Sequence, residues 1–460
     1  MALDLTTFET IIPSRFISFT LPNHTRPTRL LRVAALDSPN QLGDPPRVAA
    51  IVVPLDRESD WVFSTESGHL QLLLASLGIS RLVLIGDDPT DGPDTAVYRH
   101  DKVKDAQYVK SLETILTPLL RALSPKICTK DPNFEVPILE YDDNVASSVV
   151  LERCVGGFVG EMLVEDVEKE IELNGEEEGN RGKSEFKRRL RFKRMPNLVQ
   201  SEIRIVPEKG SGLVCAKIGG EVGFRPDLGV LVQSYLIPMV ASLSLIGSCI
   251  DDRIRGGFRP KALCLGVGGG SLLSFLRTQL GFEVFGVELD EEVLRVARKY
   301  FGLEDAGIGV CIGDAVKVLE KLATGCSMPD CFLNCGDGFD AKFDVIMVDL
   351  DCSDARNGGA PPREFVRRKV LLAAKSLLSD SGLLVVNVIP PSRSAYDTFV
   401  GKFRDVFHEL YEIDVENGDH FVLVASVSPG LPAVGDCENS FIRTLRTVIF
   451  GKFLDSIKKI

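Results

Sequence analysis

Four stretches of this 460-residue chain set acidic or glycine residues at the ends of apolar runs, where they can do chemistry. In KALCLGVGGGSLLSFLRTQLGFEVFGVELD, Lys261–Asp290, the apolar run Ala262–Leu265 leads straight into Gly266, Gly268, Gly269 and Gly270. Glycines let a backbone turn sharply and approach a ligand with no Cβ in the way. Glu288 closes the next apolar run, 22 residues past Gly266. An acid at that distance, at the tip of the second strand of a βαβ unit, can accept hydrogen bonds from a ribose. Ile308–Ile312 ends in Gly313-Asp314-Ala315, and Phe343–Val348 ends in Asp349, with Asp351 and Asp354 close behind. Carboxylates crowded in this way can orient an amine or take its proton.

The elements that must position these groups follow from periodicity. Ala262–Leu265, Glu283–Val287, Ile308–Ile312 and Phe343–Val348 read as buried strands, and Leu272, Leu273, Phe275 and Leu276 as one helical face. An α/β sheet binds ligands beyond the carboxyl ends of its strands, so Gly266, Glu288, Asp314 and Asp349 should meet along one edge. LGVGGG, GVELD, GDA and FDVIMVDLD resemble the successive motifs of class I S-adenosylmethionine-dependent methyltransferases. That resemblance implies a seven-stranded Rossmann-like sheet and S-adenosylmethionine as cofactor. It further implies that Gly266, Gly268 and Gly269 pass the methionine part, that Glu288 holds the ribose, and that Asp314 sits near the adenine. A nicotinamide enzyme would more typically show G-x-G-x-x-G, and Ser271 stands at the sixth position.

Upstream, RRLRFKRMPNLVQSEIRIVPEKGSGLVCAKIGG alternates in two or three segments and reads as a β-hairpin platform. A hairpin ahead of such a sheet resembles the spermidine synthases, in which a glutamine on one strand faces the nucleoside; Gln200 matches that position. These motifs, with LSLIG, VDLDCSDARNGGAPP and DRESDWVFST, also resemble the family of eukaryotic elongation factor 1-alpha N-terminal methyltransferases, over roughly residues 30–425. The resemblance implies methyl transfer to a protein α-amine rather than to lysine, with Asp349 and Asp351 orienting or deprotonating that amine. Two other readings stay open: a polyamine-forming aminopropyltransferase and a catalytically silent nucleoside-binding scaffold. Spermidine synthases carry an aspartate in the glycine loop that rejects the donor's carboxylate. Gly269 stands there in this chain, so room for that carboxylate is expected.

Composition narrows the partners. A net charge of −12 and a pI near 5.1 argue against general nucleic-acid affinity, which needs a basic face. They suit a basic protein or amine, so a protein substrate such as elongation factor 1-alpha is expected; a homodimer is left open. The eleven scattered cysteines fit a reduced, cytoplasmic setting. Cys326, Cys331 and Cys335 cluster without a fourth ligand, so no metal site is expected. No run reaches bilayer length, Tyr235–Ile250 being interrupted by Pro238. Residues 11–32 are rich in Ser, Thr and Arg, as transit segments are, yet Arg15–Leu21 alternates like a strand and is read as folded structure.

Five regions result. Residues 1–150 read as a small N-terminal α/β domain, with Trp61 in its core and a solvated turn at Asp56, Arg57, Glu58 and Asp60. Residues 151–187 carry an acidic arm and the start of a basic one and read as a charged linker, flexible over Asn174–Ser184. The hairpin platform spans 188–225, the methyltransferase sheet 226–430, and a helical extension, with its helix at Phe441–Ile460, the remainder.

Overall fold

The computed structural model describes residues 5–40, 43, 45–89, 97–170, 184–208, 217–325, 342–351, 359–416, 418–430, 439–449 and 452–460. They build three sheets. The first contains β1 (Phe16–Pro22), β2 (Leu30–Asp37), β3 (Val48–Val52), β4 (Arg81–Asp87) and β6 (Ile138–Leu139) in the order β1-β2-β4-β3-β6. The second contains β5 (Tyr98–Arg99), β7 (Val145–Gly156), β8 (Gly160–Glu170), β9 (Ser184–Phe192), β10 (Val199–Pro207) and β11 (Phe224–Pro226), ordered β11-β10-β9-β8-β7-β5. The third has eight strands: β12 (Lys261–Leu265), β13 (Glu283–Glu288), β14 (Ile308–Ile312), β15 (Phe343–Val348), β16 (Leu378–Val388), β17 (Glu409–Glu416), β18 (His420–Ser426) and β19 (Lys458–Lys459). Their order is β14-β13-β12-β15-β16-β18-β17-β19, parallel through β16 and antiparallel beyond it.

The third sheet's central strands are buried along almost their whole length, as expected when helices cover both faces of a parallel sheet. On one face α6 (Ser271–Leu280) brings Leu272, Phe275 and Leu276 to a core shared with Met239 and Leu243. On the other, Phe285 and Phe343 pack with Leu371 and Phe403. Asp290 caps α7 (Glu291–Tyr300) and Asp314 caps α8 (Ala315–Ala323). The C-terminal stretch departs from expectation. The helix there spans only Ser440–Val448, and Lys458–Lys459 returns as the sheet's eighth strand, so Phe441, Ile442 and Leu445 belong to the core of the third sheet. Ahead of β12, Leu236–Ala241 is α-helical and Ser242–Ile246 is a 3-10 turn.

The charged linker is also corrected. Residues 145–170 form two long strands, and the platform is a six-stranded antiparallel sheet rather than a hairpin. The acidic and basic arms are cross-strand partners in it: Asp166 stands opposite Arg188, with hydrogen bonds of 2.6 and 2.9 Å, and Glu165 opposite Arg189. Opposite charges directly across a ladder support the pairing. The central stretch of the insertion, 171–183, lies outside the described residues, as do Asp354 and the three clustered cysteines. The sheet's apolar face, through Met162, Val164, Leu190, Ile203 and Ile205, packs on Val293, Val296 and Phe301 beside the third sheet. Asp290 ties the two together, accepting from Phe158 and Val159 at 2.7 and 3.0 Å.

Of the expected solvated turn Asp56 is exposed, but Arg57, Glu58 and Asp60 form a largely buried charge cluster that joins the N-terminal unit to the platform. Asp60 accepts from Arg57 at 2.9 Å and from Arg191 at 3.0 Å, and these arginines hold its carboxyl well below the usual range against the opposing effect of burial. Burial pushes the neighbouring Glu58 carboxyl up to about 7. Trp61 is buried, with the Arg153 guanidinium over its ring. Ser67 donates to the Lys193 carbonyl at 3.2 Å, and Gln71 accepts from the Asn197 amide at 2.9 Å, so the N-terminal unit braces the turn after β9. Breaking a buried ion pair on one side costs about 3 kcal/mol. Asp60→Asn should lower the urea-unfolding free energy by that order at pH 7. Because Asp60's folded pKa is depressed, its contribution is present above the ordinary carboxylate pKa and lost as pH falls. The deficit should therefore shrink below about pH 4, and a pH-independent deficit would contradict the ion-pair account.

Candidate active site

The glycine turn is built by close packing. Gly266, Gly268 and Gly270 have φ of 87°, 53° and 80°, the left-handed region that glycine enters at least cost. A Cβ on Gly266 would lie 2.0 Å from the Asp349 carbonyl oxygen, so the turn rests directly on the end of β15. Gly269 differs from its expected role. Its N–H donates to Ser201 Oγ at 2.7 Å, and a Cβ there would lie 2.9 Å from Phe301 and 3.0 Å from Ser201. A side chain at Gly269 would therefore meet Ser201 of the platform and Phe301, the residue that follows α7.

Glu288 sits at the turn, and its lone pairs face backbone. Oε2 accepts from Val267 and Gly268 at 3.1 and 3.2 Å, and Oε1 from Leu289 and Asp290 at 2.9 and 3.2 Å. A carboxylate offers about four acceptor positions, so all are engaged. Burial raises its pKa while these four N–H groups oppose the rise. Ribose hydroxyls can reach Glu288 only by sharing or replacing those bonds. Asp314 is a helix cap, accepting from Val316 at 2.9 Å and Lys317 at 3.2 Å, and it is partly exposed.

Asp349 is held from both sides. Tyr235 Oη donates to Oδ2 at 2.9 Å and Asn387 Nδ2 to Oδ1 at 3.0 Å. Burial raises the Asp349 pKa, the two donors oppose it, and nearby Asp351 adds to the rise. Burial also pushes the Tyr235 phenol well up, so it remains a donor. Behind them, His420 Nε2 and Asn387 Oδ1 lie 2.6 Å apart, and Gln233 donates to Tyr235 Oη at 3.1 Å. Sequence reasoning passed over Tyr235, Asn387, His420 and Gln233. The available signal was Asn387, the one polar residue in the buried run GLLVVNV.

Asp351 receives Arg194 Nη2 at 3.2 and 3.4 Å. Desolvation raises its pKa, and the Arg194 charge and the Gln200 side chain work against the rise. Gln200 thus lies beside Asp351, and its buried Nε2 makes no hydrogen bond of ordinary geometry; neither does Arg194 Nε. Gly266, Gly268, Glu288, Asp349, Asp351 and Gln200 form one group, whereas Asp314 stands at the sheet's outer edge strand. Among the described residues, the grouping with metal-ligand spacing is Glu152, Cys154 and Glu292, and Arg295, Lys299 and Tyr300 already engage its carboxylates. A separate cavity of about 1030 Å³ between β6 and the helix Lys102–Ala122, lined in part by His100, Asp105 and Tyr108, shares no residue with the carboxylate group.

Numbered along the chain, β12 to β18 run 3-2-1-4-5-7-6 across the sheet, with the last strand inserted antiparallel. With the glycine turn after the first strand and acids closing the second and fourth, this is the class I methyltransferase fold preceded by a β-platform, as in spermidine synthases. No family model matches the chain. It is similar to an "eEF1A lysine and N-terminal methyltransferase" of Danio rerio, 29% identical over 397 residues, covering 83% of this chain and 51% of the relative. It is also similar to a polyamine aminopropyltransferase of Vibrio vulnificus, 30% identical over 175 residues, 36% of this chain and 51% of that protein. Among solved structures, human methyltransferase-like protein 13 in complex with SAH has a TM-score of 0.39 at 23% identity, over 47% of this chain and 93% of that one. The chain spans about half the length of the curated eEF1A methyltransferases it matches.

Glu288→Gln would set an amide donor against the backbone N–H groups that now share the carboxylate. Leaving buried donors unpaired costs about 2–3 kcal/mol, so urea unfolding should show a loss of that order with no ligand present. A loss under about 0.5 kcal/mol would mean that the carboxylate does not clasp the turn.

Proposed function

We propose that this chain is an S-adenosylmethionine-dependent methyltransferase acting on the N-terminal α-amine of a protein, with elongation factor 1-alpha as the candidate substrate and the cytoplasm as its setting. The observation that carries the reading is Asp349, a half-buried carboxylate held by Tyr235 and Asn387 at the end of the fourth strand, against the glycine turn. The curated relatives named for eEF1A methylation support the substrate class. The donor Arg194 Nε, buried without a hydrogen-bond partner, suits a polar ligand in the same place.

S-adenosylmethionine, when bound, supplies a methyl group on a sulfonium. The chain's work is alignment, because an in-line displacement gains most from holding the nucleophile in place. An α-amine has a reference pKa near 7.7–8.0, against about 10.4 for lysine, so much of it is already neutral at physiological pH. Oriented carboxylates therefore suffice. Asp349, fixed on both oxygens, orients the amine, and Asp351 takes up its proton. The raised pKa of each acid moves it towards a useful base.

The aminopropyltransferase reading has the Vibrio vulnificus relative in its favour. Against it stands the filled space at Gly269, which leaves no place for the loop aspartate of spermidine synthases.

Elongation factor incubated with the chain and a methyl-labelled donor should carry label on its N-terminal residue, read by mass spectrometry of its peptides. Asp349→Asn should lower turnover by at least about a hundredfold, and Asp351→Asn should lower turnover far more than donor affinity. Label on an internal lysine, or aminopropyl transfer to putrescine without protein methylation, would overturn the assignment.

A further inference from the structure

We propose that Arg194 is the residue that recognises the carboxylate of the methyl donor, and that it is held by Asp351 until that carboxylate arrives. The proposal rests on the donor assignment above and adds the feature that separates S-adenosylmethionine from its decarboxylated form.

Three observations lead to it. The first is that the side-chain direction at Gly269, where discrimination was expected, is occupied by Phe301 and Ser201, so no side-chain charge can act from that position. Selection for or against a carboxylate must lie elsewhere.

The second is the disposition of positive charge. The basic residues of β9 and its turn are almost all committed to acids of the platform or the N-terminal unit: Arg188 to Asp166, Arg189 to Glu202, Arg191 to Asp60 and Glu165, and Lys193 to Glu161. Arg194 instead reaches across to Asp351, in the site itself. Its Nε is buried without a hydrogen-bond partner, and the Gln200 side chain bears on the same carboxylate. A buried donor left unpaired is costly, so Arg194 Nε marks a position for an acceptor oxygen.

The third is charge matching. Among the described residues the site holds three carboxylates, Glu288, Asp349 and Asp351, and the guanidinium of Arg194. S-adenosylmethionine carries two cationic groups, its sulfonium and its ammonium, and one anionic group, its carboxylate. The acids complement the cations, and the guanidinium complements the carboxylate, for which its planar fork is well shaped. When Arg194 turns to the donor, Asp351 loses its partner and becomes available to the incoming amine. Donor binding thereby readies the acceptor site.

Calorimetric titration tests this with three ligands: S-adenosylhomocysteine, decarboxylated S-adenosylmethionine and methylthioadenosine. The unaltered chain should bind S-adenosylhomocysteine at least about tenfold more tightly than the decarboxylated donor. Arg194→Met should weaken S-adenosylhomocysteine by about ten- to a hundredfold and change the other two by less than about threefold. Asp351→Asn, which frees Arg194, should leave S-adenosylhomocysteine binding as tight or tighter. Equal affinities in the unaltered chain, or an Arg194→Met loss shared by all three ligands, would overturn the assignment. The first of these comparisons needs no variant and stands even if Arg194→Met fails to fold. Failure of the unaltered chain to bind any adenosyl ligand would instead overturn the methyltransferase reading.

Discussion

The backbone from Gly266 to Gly270 is clamped from three directions, and the rest of the site depends on that clamp. The end of β15 lies so close that no side chain fits at Gly266. Glu288 takes two of the turn's N–H groups, and Ser201 takes a third. Each contact comes from a different strand end or sheet, so the turn fixes β12, β13, β15 and the platform relative to one another. The left-handed glycines are what allow these approaches. A carboxylate buried at the centre of such a clamp costs desolvation, and four backbone donors offset it.

The N-terminal unit enters the same logic through charge. Asp60 sits between Arg57 of its own unit and Arg191 of the platform, three residues before Arg194. Ser67 and Gln71 hold the backbone of the intervening turn at Lys193 and Asn197. A cation that reaches Asp351 from another sheet needs a stiff base, and these contacts supply it. The unit is therefore mechanically continuous with the site while contributing none of the carboxylates.

The platform shows why charge patterning along a chain is ambiguous. Acids at 161–170 followed by bases at 187–194 read equally well as a solvated linker or as two facing strands. Only the antiparallel register, Asp166 opposite Arg188 and Glu165 opposite Arg189, turns repulsive blocks into attractive pairs. The turn at Asp56–Asp60 was misread for the same reason, since its partner Arg191 lies 131 residues away. Local composition cannot reveal a partner at that distance.

By itself the sequence determined the alternation of buried strands and helices, the glycine turn, and the acids at the strand ends. These are local properties: a buried parallel strand must be continuously apolar, and its first polar residue marks where it emerges. Glu288 and Asp349 were legible on that ground alone. Tertiary structure decided what each acid does with its lone pairs. Tyr235, 114 residues from Asp349, and Arg194, 157 residues from Asp351, reach them only because separate elements converge on one sheet edge. It likewise decided that Gly269 is packed rather than open, because Phe301 and Ser201 arrive from α7 and the platform. A hydrogen bond depends on distance and angle in space, and spacing along the chain carries neither.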